Sequence, residues 1–100
     1  KNTFSDIIIP KGVMKEMKVL SISAQRTSDK VAAKIAIQIV EHSKVKIIDI
    51  GNTHIDDRIV VYAKDNSCAV LTNDAELKSR LKNEKIPVFI ISKNSKIKKA

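Results

Sequence analysis

The chain contains few of the residues that form disulfides, stacking surfaces or membrane spans. Cys68 is its one cysteine, so no internal disulfide can form; we expect this thiol to be buried and the protein to occupy a reducing, cytoplasmic compartment. The three aromatic residues are too few for the platforms on which many proteins stack single-stranded nucleic acid. No segment reaches the ~18 consecutive apolar residues of a membrane span, so we expect no membrane partner.

Positive charge is what the chain has in excess. Lysine and arginine together number 19 against 11 aspartates and glutamates, which gives a formal net charge of +8. Such a balance favours a polyanionic partner such as RNA, because binding releases counterions. A lysine-rich composition is also common in heat-adapted proteins. The charge taken alone therefore leaves both interpretations open.

Glycine and proline are scarce, two of each, and they separate short periodic segments. The apolar patterns predict strands over residues 7–9, 45–50, 69–71 and 88–91, and helices over residues 11–20, 28–42, 54–64 and 74–83. Nearly continuous apolar strands between helices indicate a mostly parallel sheet covered on both faces. We therefore predict a single α/β domain over residues 1–100 with three layers, α/β/α, ending in a frayed basic tail over residues 93–100.

The helix predicted over residues 28–42 is apolar on most of its circumference. Its only polar stripe is narrow and consists of Lys34, Gln38 and Glu41. A helix that is apolar on most sides is expected to be buried on most sides. In a chain of one domain this predicts a contact with the sheet and a second contact with another chain, as in a homodimer formed through this helix.

Two acidic residues follow predicted strands closely. Asp74 lies three residues beyond Leu71, and Asp56 follows the strand over residues 45–50 after a short turn. The carboxyl ends of parallel strands meet at one edge of the sheet, where ligands bind. Carboxylates at that edge would suit a hard cation such as Mg²⁺. The alternative is helix capping, because residues 53–56 and 73–76 both match a capping box.

Three short segments, in this order, resemble the PIN domain family of metal-dependent ribonucleases. They are "IIIPKGVMKEM", "DDRIVVYA" and "AVLTND", and "ELKSRLKNEKIPVFIIS" continues like the last helix and strand of archaeal members. The resemblance runs from about residue 6 to residue 92. It implies a PIN-like fold in which Glu16, Asp56 and Asp74 are the catalytic residues and the ligands of Mg²⁺ or Mn²⁺. By itself, Glu16 would be interpreted as a solvated surface residue of a helix.

The same resemblance implies roles for neighbouring residues and for partners. Thr72, Asn73 and Asp57 would orient the metal ligands or a water molecule. The lysines expected to contact the RNA backbone are Lys11, Lys15 and Lys78. The implied activity is endoribonucleolytic cleavage of RNA, either by a toxin of the VapC type with an antitoxin partner or by an rRNA-processing enzyme with a processing partner.

The start of the chain departs from the family pattern. PIN domains begin with a central apolar strand that ends in a metal-binding Asp, whereas this chain opens with "KNTF", which resembles the end of the following helix. We therefore expect the domain to be incomplete at its N-terminus. Removing a central strand would leave backbone groups unpaired on both neighbours. This predicts a gap between the strands over residues 7–9 and 69–71, filled by a missing segment or by another chain.

Two alternatives without catalysis remain. The segment "AVLTNDAELKSRLKNEKIPVFIISK" also resembles the second half of ribosomal proteins of the L7Ae or L30e type, which would make the chain an RNA-binding module. That family has a glycine-rich RNA contact near its N-terminus, and no such segment occurs here. The other alternative is an inactive PIN-like scaffold. Measured affinity for a divalent metal ion would distinguish the nuclease from the RNA-binding module and from the inactive scaffold.

Overall fold

The computed structural model describes residues 6–51, 53–92 and 96–100. The strands are β1 (Ile7–Pro10), β2 (Lys46–Ile48), β3 (Ala69–Leu71), β4 (Val88–Ile91) and β5 (Ile97–Lys99), and the helices are α1 (Lys11–Ser23), α2 (Thr27–Glu41), α3 (Ile55–Asn66) and α4 (Ala75–Asn83). The sheet order is β2-β1-β3-β4-β5, with every pair parallel except β4 and β5. The predicted α/β class with a mostly parallel sheet is confirmed.

Apolar side chains cover both faces of this sheet. Consecutive residues of a strand point to opposite faces, so Ile8 packs in one cluster and Ile9 in the other. The first cluster is completed by residues of α3 and α4, including Ile59 and Leu81. The second contains Met14 of α1 and, from α2, Val40. The three layers follow directly from this alternation.

The predicted gap between β1 and β3 is wrong. These strands pair directly, with Ile7 opposite Ala69 and Ile8 opposite Val70. The N–H of Ala69 also donates to the carbonyl oxygen of Asp6 at 2.9 Å. Because β2 pairs along the other side of β1, strand β1 has a hydrogen-bonding partner on each side. No further strand is needed to satisfy its backbone groups.

The predicted frayed tail is also wrong where the structure describes it. Residues 97–99 form β5, in which Ile97 lies opposite Ile91 and Lys99 opposite Phe89. The N–H of Ala100 continues the ladder by donating to Val88 at 2.8 Å. Ile97 packs against the second apolar cluster, the one that contains Met14 and Val40, and this contact anchors the lysine-rich strand. Residues 93–95 of the predicted tail lie outside the described residues.

Helix α2 is less buried within the chain than its composition predicts. It packs against α1, and only Ala33 and Val40 are fully buried. Val31 is 48% exposed and Ile35 is 36% exposed. The expectation of burial on most sides is therefore wrong for the chain by itself, and the contact with another chain stays a prediction. In the part of the chain that the structure describes, no helix combines the length and hydropathy needed to cross a bilayer.

Candidate active site

A cleft of about 710 Å³ opens at the carboxyl edge of the parallel strands. Its walls are largely apolar and include Ile9 of β1, Met17 of α1 and Ala36 of α2. Glu16, Asp56 and Asp74 all line this cleft. The structure therefore brings together, in one concavity, three carboxylates that are separated by up to 58 residues in the sequence.

The local fold explains why three separate elements deliver an acid to this edge. Strand β1 ends at Pro10 and α1 begins at the next residue, so Glu16 lies in the second turn of the helix. Asp56 lies in the first turn of α3. Asp74 follows the end of β3 by three residues and starts α4. Each acid is thus placed by the chain turn or helix that follows a parallel strand.

Asp74 caps α4 as well as lining the cleft. Its Oδ1 accepts a hydrogen bond from the N–H of Leu77 at 2.9 Å. Its own N–H donates to Oγ1 of Thr72 at 3.1 Å. Asp74 therefore caps this helix, as the capping alternative expected, but the N-cap is Asp74 and not Asn73, so the box predicted over residues 73–76 is wrong. An ionised carboxylate has about four acceptor positions, so a capping bond leaves capacity for a second partner.

Asp56 has no such capping role. The N-cap position of α3 is occupied by His54, which has a left-handed conformation with φ 51° and makes no side-chain cap bond. An N-cap residue usually has an extended backbone, from which its side chain can accept a hydrogen bond from the first turn of the helix. His54 does not have this conformation. The capping box predicted over residues 53–56 is therefore wrong. The position of Asp56 in the first turn is still favourable, because a negative charge there interacts well with the helix dipole.

The residues expected to orient the ligands differ in where they lie. Thr72 and Asn73 line the cleft. Both polar atoms of the Asn73 amide engage Ile91: Nδ2 donates to its carbonyl at 3.1 Å, and Oδ1 accepts from its N–H at 2.9 Å. Asn73 therefore fastens the end of β4 to the cleft wall. Asp57 does not line the cleft, and its carboxylate pairs with the guanidinium of Arg80 on α4.

The three lysines expected to contact RNA also lie outside the cleft lining. Lys11 and Lys15 are exposed on α1, and Lys78 is half-buried on α4. Among the described residues that line the cleft, none is a lysine or an arginine. The cleft taken by itself is consequently an acidic site.

Two features of the cleft escaped sequence reasoning. Ser92 lines it from the position directly after β4, which the strand-end rule could have identified. Ala32, Ile35 and Ala36 of α2 also line it. The broad apolar surface of this helix was visible in the sequence, but it predicted contact with a partner and not the wall of a cleft.

The donor set fits a hard divalent cation in its chemistry. Carboxylate oxygens are the ligands that Mg²⁺ and Mn²⁺ prefer. Within residues 6–51, 53–92 and 96–100, however, no three His, Cys, Asp or Glu side chains are grouped closely enough to hold one ion. Mg²⁺ is usually bound directly by one or two carboxylates, with water or substrate phosphate completing its coordination, so a site here would not need all three as direct ligands.

Cys68 takes no part in this cleft. It is buried at the start of β3, where its Sγ donates to the carbonyl oxygen of Asn66 at 3.4 Å. Burial raises the pKa of this thiol, with a smaller contribution from the negative charge of Asp6. A thiol that stays protonated is a poor nucleophile. The expectation that Cys68 is buried is confirmed.

Sequence comparison places this architecture among known proteins. The profile of a family described as PIN-like domain matches residues 2–94. The chain belongs to the PIN-like domain family. This membership confirms the family resemblance and replaces the ribosomal-type alternative.

Two archaeal proteins are similar to the chain over most of its length. Ribonuclease VapC9 of Archaeoglobus fulgidus is 31% identical over 94 residues, which cover 94% of this chain and 67% of the relative. Ribonuclease VapC4 of Methanocaldococcus jannaschii is 32% identical over 92 residues, which cover 90% of this chain and 69% of the relative. The similarity to VapC proteins identifies this PIN-like chain as one of the VapC type.

Proposed function

We propose that the chain is an endoribonuclease that hydrolyses RNA phosphodiester bonds with Mg²⁺ or Mn²⁺. The observation that carries this proposal is the position of three carboxylates, each on a different helix or helix start, in a single cleft. The fact that the relatives are named ribonucleases supports RNA as the substrate. An acidic cleft without cationic side chains needs a cation before it can accept a phosphodiester.

In this proposal Glu16, Asp56 and Asp74 hold the metal ion, one or two of them directly and the others through bound water. When bound, the ion would activate a water molecule for attack and offset the charge that develops on the phosphate. The side chains supply the positions of those ligands. Asp74 is held by its capping bond to Leu77 and by the bond from its N–H to Thr72, so its carboxylate has a fixed direction. Asn73 keeps the adjacent end of β4 in place.

We further propose a toxin-type role with an antitoxin partner, which the similarity to two VapC proteins favours over rRNA processing.

A homodimer through α2 is compatible with the exposure of Val31 and Ile35. Asp57 acts in this scheme through Arg80, because their ion pair links α3 to α4 next to Asp56.

The test is cleavage of single-stranded RNA by the full chain and by variants that keep side-chain size and remove charge. We expect cleavage with Mg²⁺ or Mn²⁺ and none with EDTA. Glu16→Gln, Asp56→Asn and Asp74→Asn should each lower the rate about 100-fold or more, because an ion contributes several kcal/mol and each ~1.4 kcal/mol is a factor of ten. Asn also caps helices well, so Asp74→Asn keeps the start of α4.

Asp65→Asn is the matched control, since Asp65 is an exposed acid of the same helix as Asp56 and lies outside the cleft lining. It should leave the rate unchanged. A wild-type chain that folds and shows no metal-dependent cleavage would identify it as an inactive PIN-like scaffold. Equal losses in Asp56→Asn and Asp65→Asn would show that overall charge, and not the cleft, controls the activity.

A further inference from the structure

The first turn of α3 brings Asp56 to the cleft without a capping side chain. The helix begins after His54, whose left-handed backbone makes no side-chain cap bond. Asp74, in contrast, caps its own helix through the N–H of Leu77. Helix ends without a cap leave backbone groups unsatisfied and fray readily. The direction of the Asp56 carboxylate therefore depends on how neighbouring segments hold this turn.

Arg58, in the same turn, fastens α3 to the segment that follows β2. Its Nη1 donates to the carbonyl oxygen of Ile50 at 2.9 Å, and its backbone N–H donates to the carbonyl oxygen of His54 at 2.9 Å. Two residues correspond to about 200° around a helix, so the side chains of Asp56 and Arg58 lie on roughly opposite sides of α3. Accordingly, Asp56 lines the cleft and Arg58 does not. The bond to Ile50 thus holds the turn from the side away from the cleft.

Gly51 leaves the space that the Arg58 guanidinium occupies. A Cβ atom at Gly51 would lie only 2.6 Å from Nη1 of Arg58. Gly51 also has φ 85°, which glycine adopts at no steric cost, and its N–H donates to Oδ1 of Asp49 at 3.1 Å. At Gly12 a Cβ would meet only Cδ1 of Ile55, at an ordinary contact distance of 3.7 Å. Of the two glycines, Gly51 is therefore the one that a side chain would disturb.

The ion pair between Asp57 and Arg80 contacts the same turn from α4, but it requires two side chains to be ordered. These side chains are 61% and 45% exposed, and exposed ion pairs contribute little because ordering both partners costs entropy. The bond from Arg58 ends on a main-chain carbonyl, so only one side chain loses rotamer freedom. Its donor is also charged, which strengthens a hydrogen bond. Arg58 therefore constrains the turn at a lower entropic cost than the ion pair does.

We propose that Arg58 positions Asp56 through its hydrogen bond to Ile50, and that Gly51 permits this bond because any side chain there would displace the guanidinium. The inference rests on the proposed function in taking Asp56 as a residue that binds the metal ion directly or through water. Arg58 and Gly51 lie outside the cleft lining, so both are positioning residues and neither contacts the ion. Loss of the bond should keep all three carboxylates but loosen the turn that carries Asp56, which lowers the affinity for the ion.

The test pairs each variant with a control of the same chemical change. Arg58→Gln is compared with Arg26→Gln, since Arg26 is exposed, makes no side-chain cap bond and lies outside the cleft lining. Gly51→Ala is compared with Gly12→Ala. Hydrogen exchange of the amides of residues 58–60, which bond to the carbonyl groups of the first turn, is measured by NMR in the metal-free chain. Mn²⁺ affinity is measured by electron paramagnetic resonance, and thermal melting verifies that every variant folds.

We expect Arg58→Gln and Gly51→Ala each to speed exchange of these amides about tenfold or more, because the turn opens more readily once a hydrogen bond from a charged donor is lost. Each should also weaken Mn²⁺ binding about tenfold, as loss of a residue that orients a ligand typically does. Both controls should behave as the wild type does. Adding Gly51→Ala to Arg58→Gln should weaken Mn²⁺ binding no further, since the two changes remove the same contact.

Unchanged exchange in Arg58→Gln, or losses of Mn²⁺ affinity that add in the double variant, would overturn the proposal. A wild-type chain that binds no Mn²⁺ would refute the metal site of the proposed function. Faster exchange in Arg58→Gln and not in Arg26→Gln would then still support the role of Arg58 in holding the turn that carries Asp56.

Discussion

The two helical layers of this protein are built differently, although they cover the same five-stranded sheet. On the α3/α4 side, Ile59 and Leu81 are completely buried. On the α1/α2 side, Val19 is 60% exposed, Ile22 is 76% exposed, and the large cleft opens between the helices and the strand ends. The α3/α4 layer is therefore the more completely packed of the two, and the cleft lies between the layers at the strand ends, with Glu16 from α1 and with Asp56 and Asp74 from α3 and the start of α4.

The ion pairs between helices also differ between the two helical layers. Arg80 of α4 pairs with Asp57 of α3. Lys64 of α3 pairs with Glu84, the C-cap residue of α4, at 2.8 Å. The hydrogen bond between Lys64 and Glu84 lowers the pKa of the carboxyl and raises the pKa of the amine. Both pairs are exposed, so each contributes little to stability. They nevertheless tie α3 to α4, and no ion pair among the described residues ties α1 to α2.

The largest expected difference between the layers concerns core truncation. Leu81→Ala on α4 should lower the free energy of unfolding by about 2–5 kcal/mol, because it removes a fully buried side chain and leaves a cavity. Ile35→Ala on α2 removes as many carbon atoms from a side chain that is 36% exposed, and it should cost about 1 kcal/mol or less. Urea unfolding followed by circular dichroism measures both. Equal losses would show that the two layers contribute alike to stability.

A smaller difference in the free energy of unfolding is expected between variants of Asp56 and Asp74, the two aspartates of the cleft that lie at helix starts. Asp74→Ala should destabilise the chain by about 1 kcal/mol, because it removes the cap bond to Leu77. Asp74→Asn should cost only a few tenths of a kcal/mol, since Asn caps as well as Asp does. Asp56→Ala removes no cap bond and should cost less than Asp74→Ala. Urea midpoints measure these changes, and a larger loss for Asp56→Ala would contradict the assignment of caps.

Local sequence signals predicted some elements closely and missed others for physical reasons. The bounds of β3 and β4 are those expected, because each is a short apolar run and Pro87 marks the start of β4. The positions of Asp56 and Asp74 followed from strand ends in the same way, whereas Glu16 was implied only by the family resemblance. The direct pairing of β1 with β3 joins residues about 60 positions apart and depends on the whole sheet, so a comparison with the family's usual first strand predicted a gap instead.

The remaining misses involve conformations that residue type does not predict. Residues 97–99 are mostly lysine, and their pairing in β5 depends on the free edge of β4 and on the apolar contact of Ile97. The left-handed backbone of His54 moved the start of α3 and removed the expected capping box. Such a conformation is uncommon for a residue other than glycine, so the sequence favoured the ordinary capping pattern.

The central claim is that Glu16, Asp56 and Asp74 act as one metal site, and Mn²⁺ binding followed by electron paramagnetic resonance tests it most directly. The full chain should bind Mn²⁺ without RNA, and Glu16→Gln, Asp56→Asn and Asp74→Asn should each weaken binding by about tenfold or more, since each removes a carboxylate that binds the ion directly or through water. Asp65→Asn should bind as the wild type does. Equal Mn²⁺ affinity in the wild type and all four variants would contradict the account.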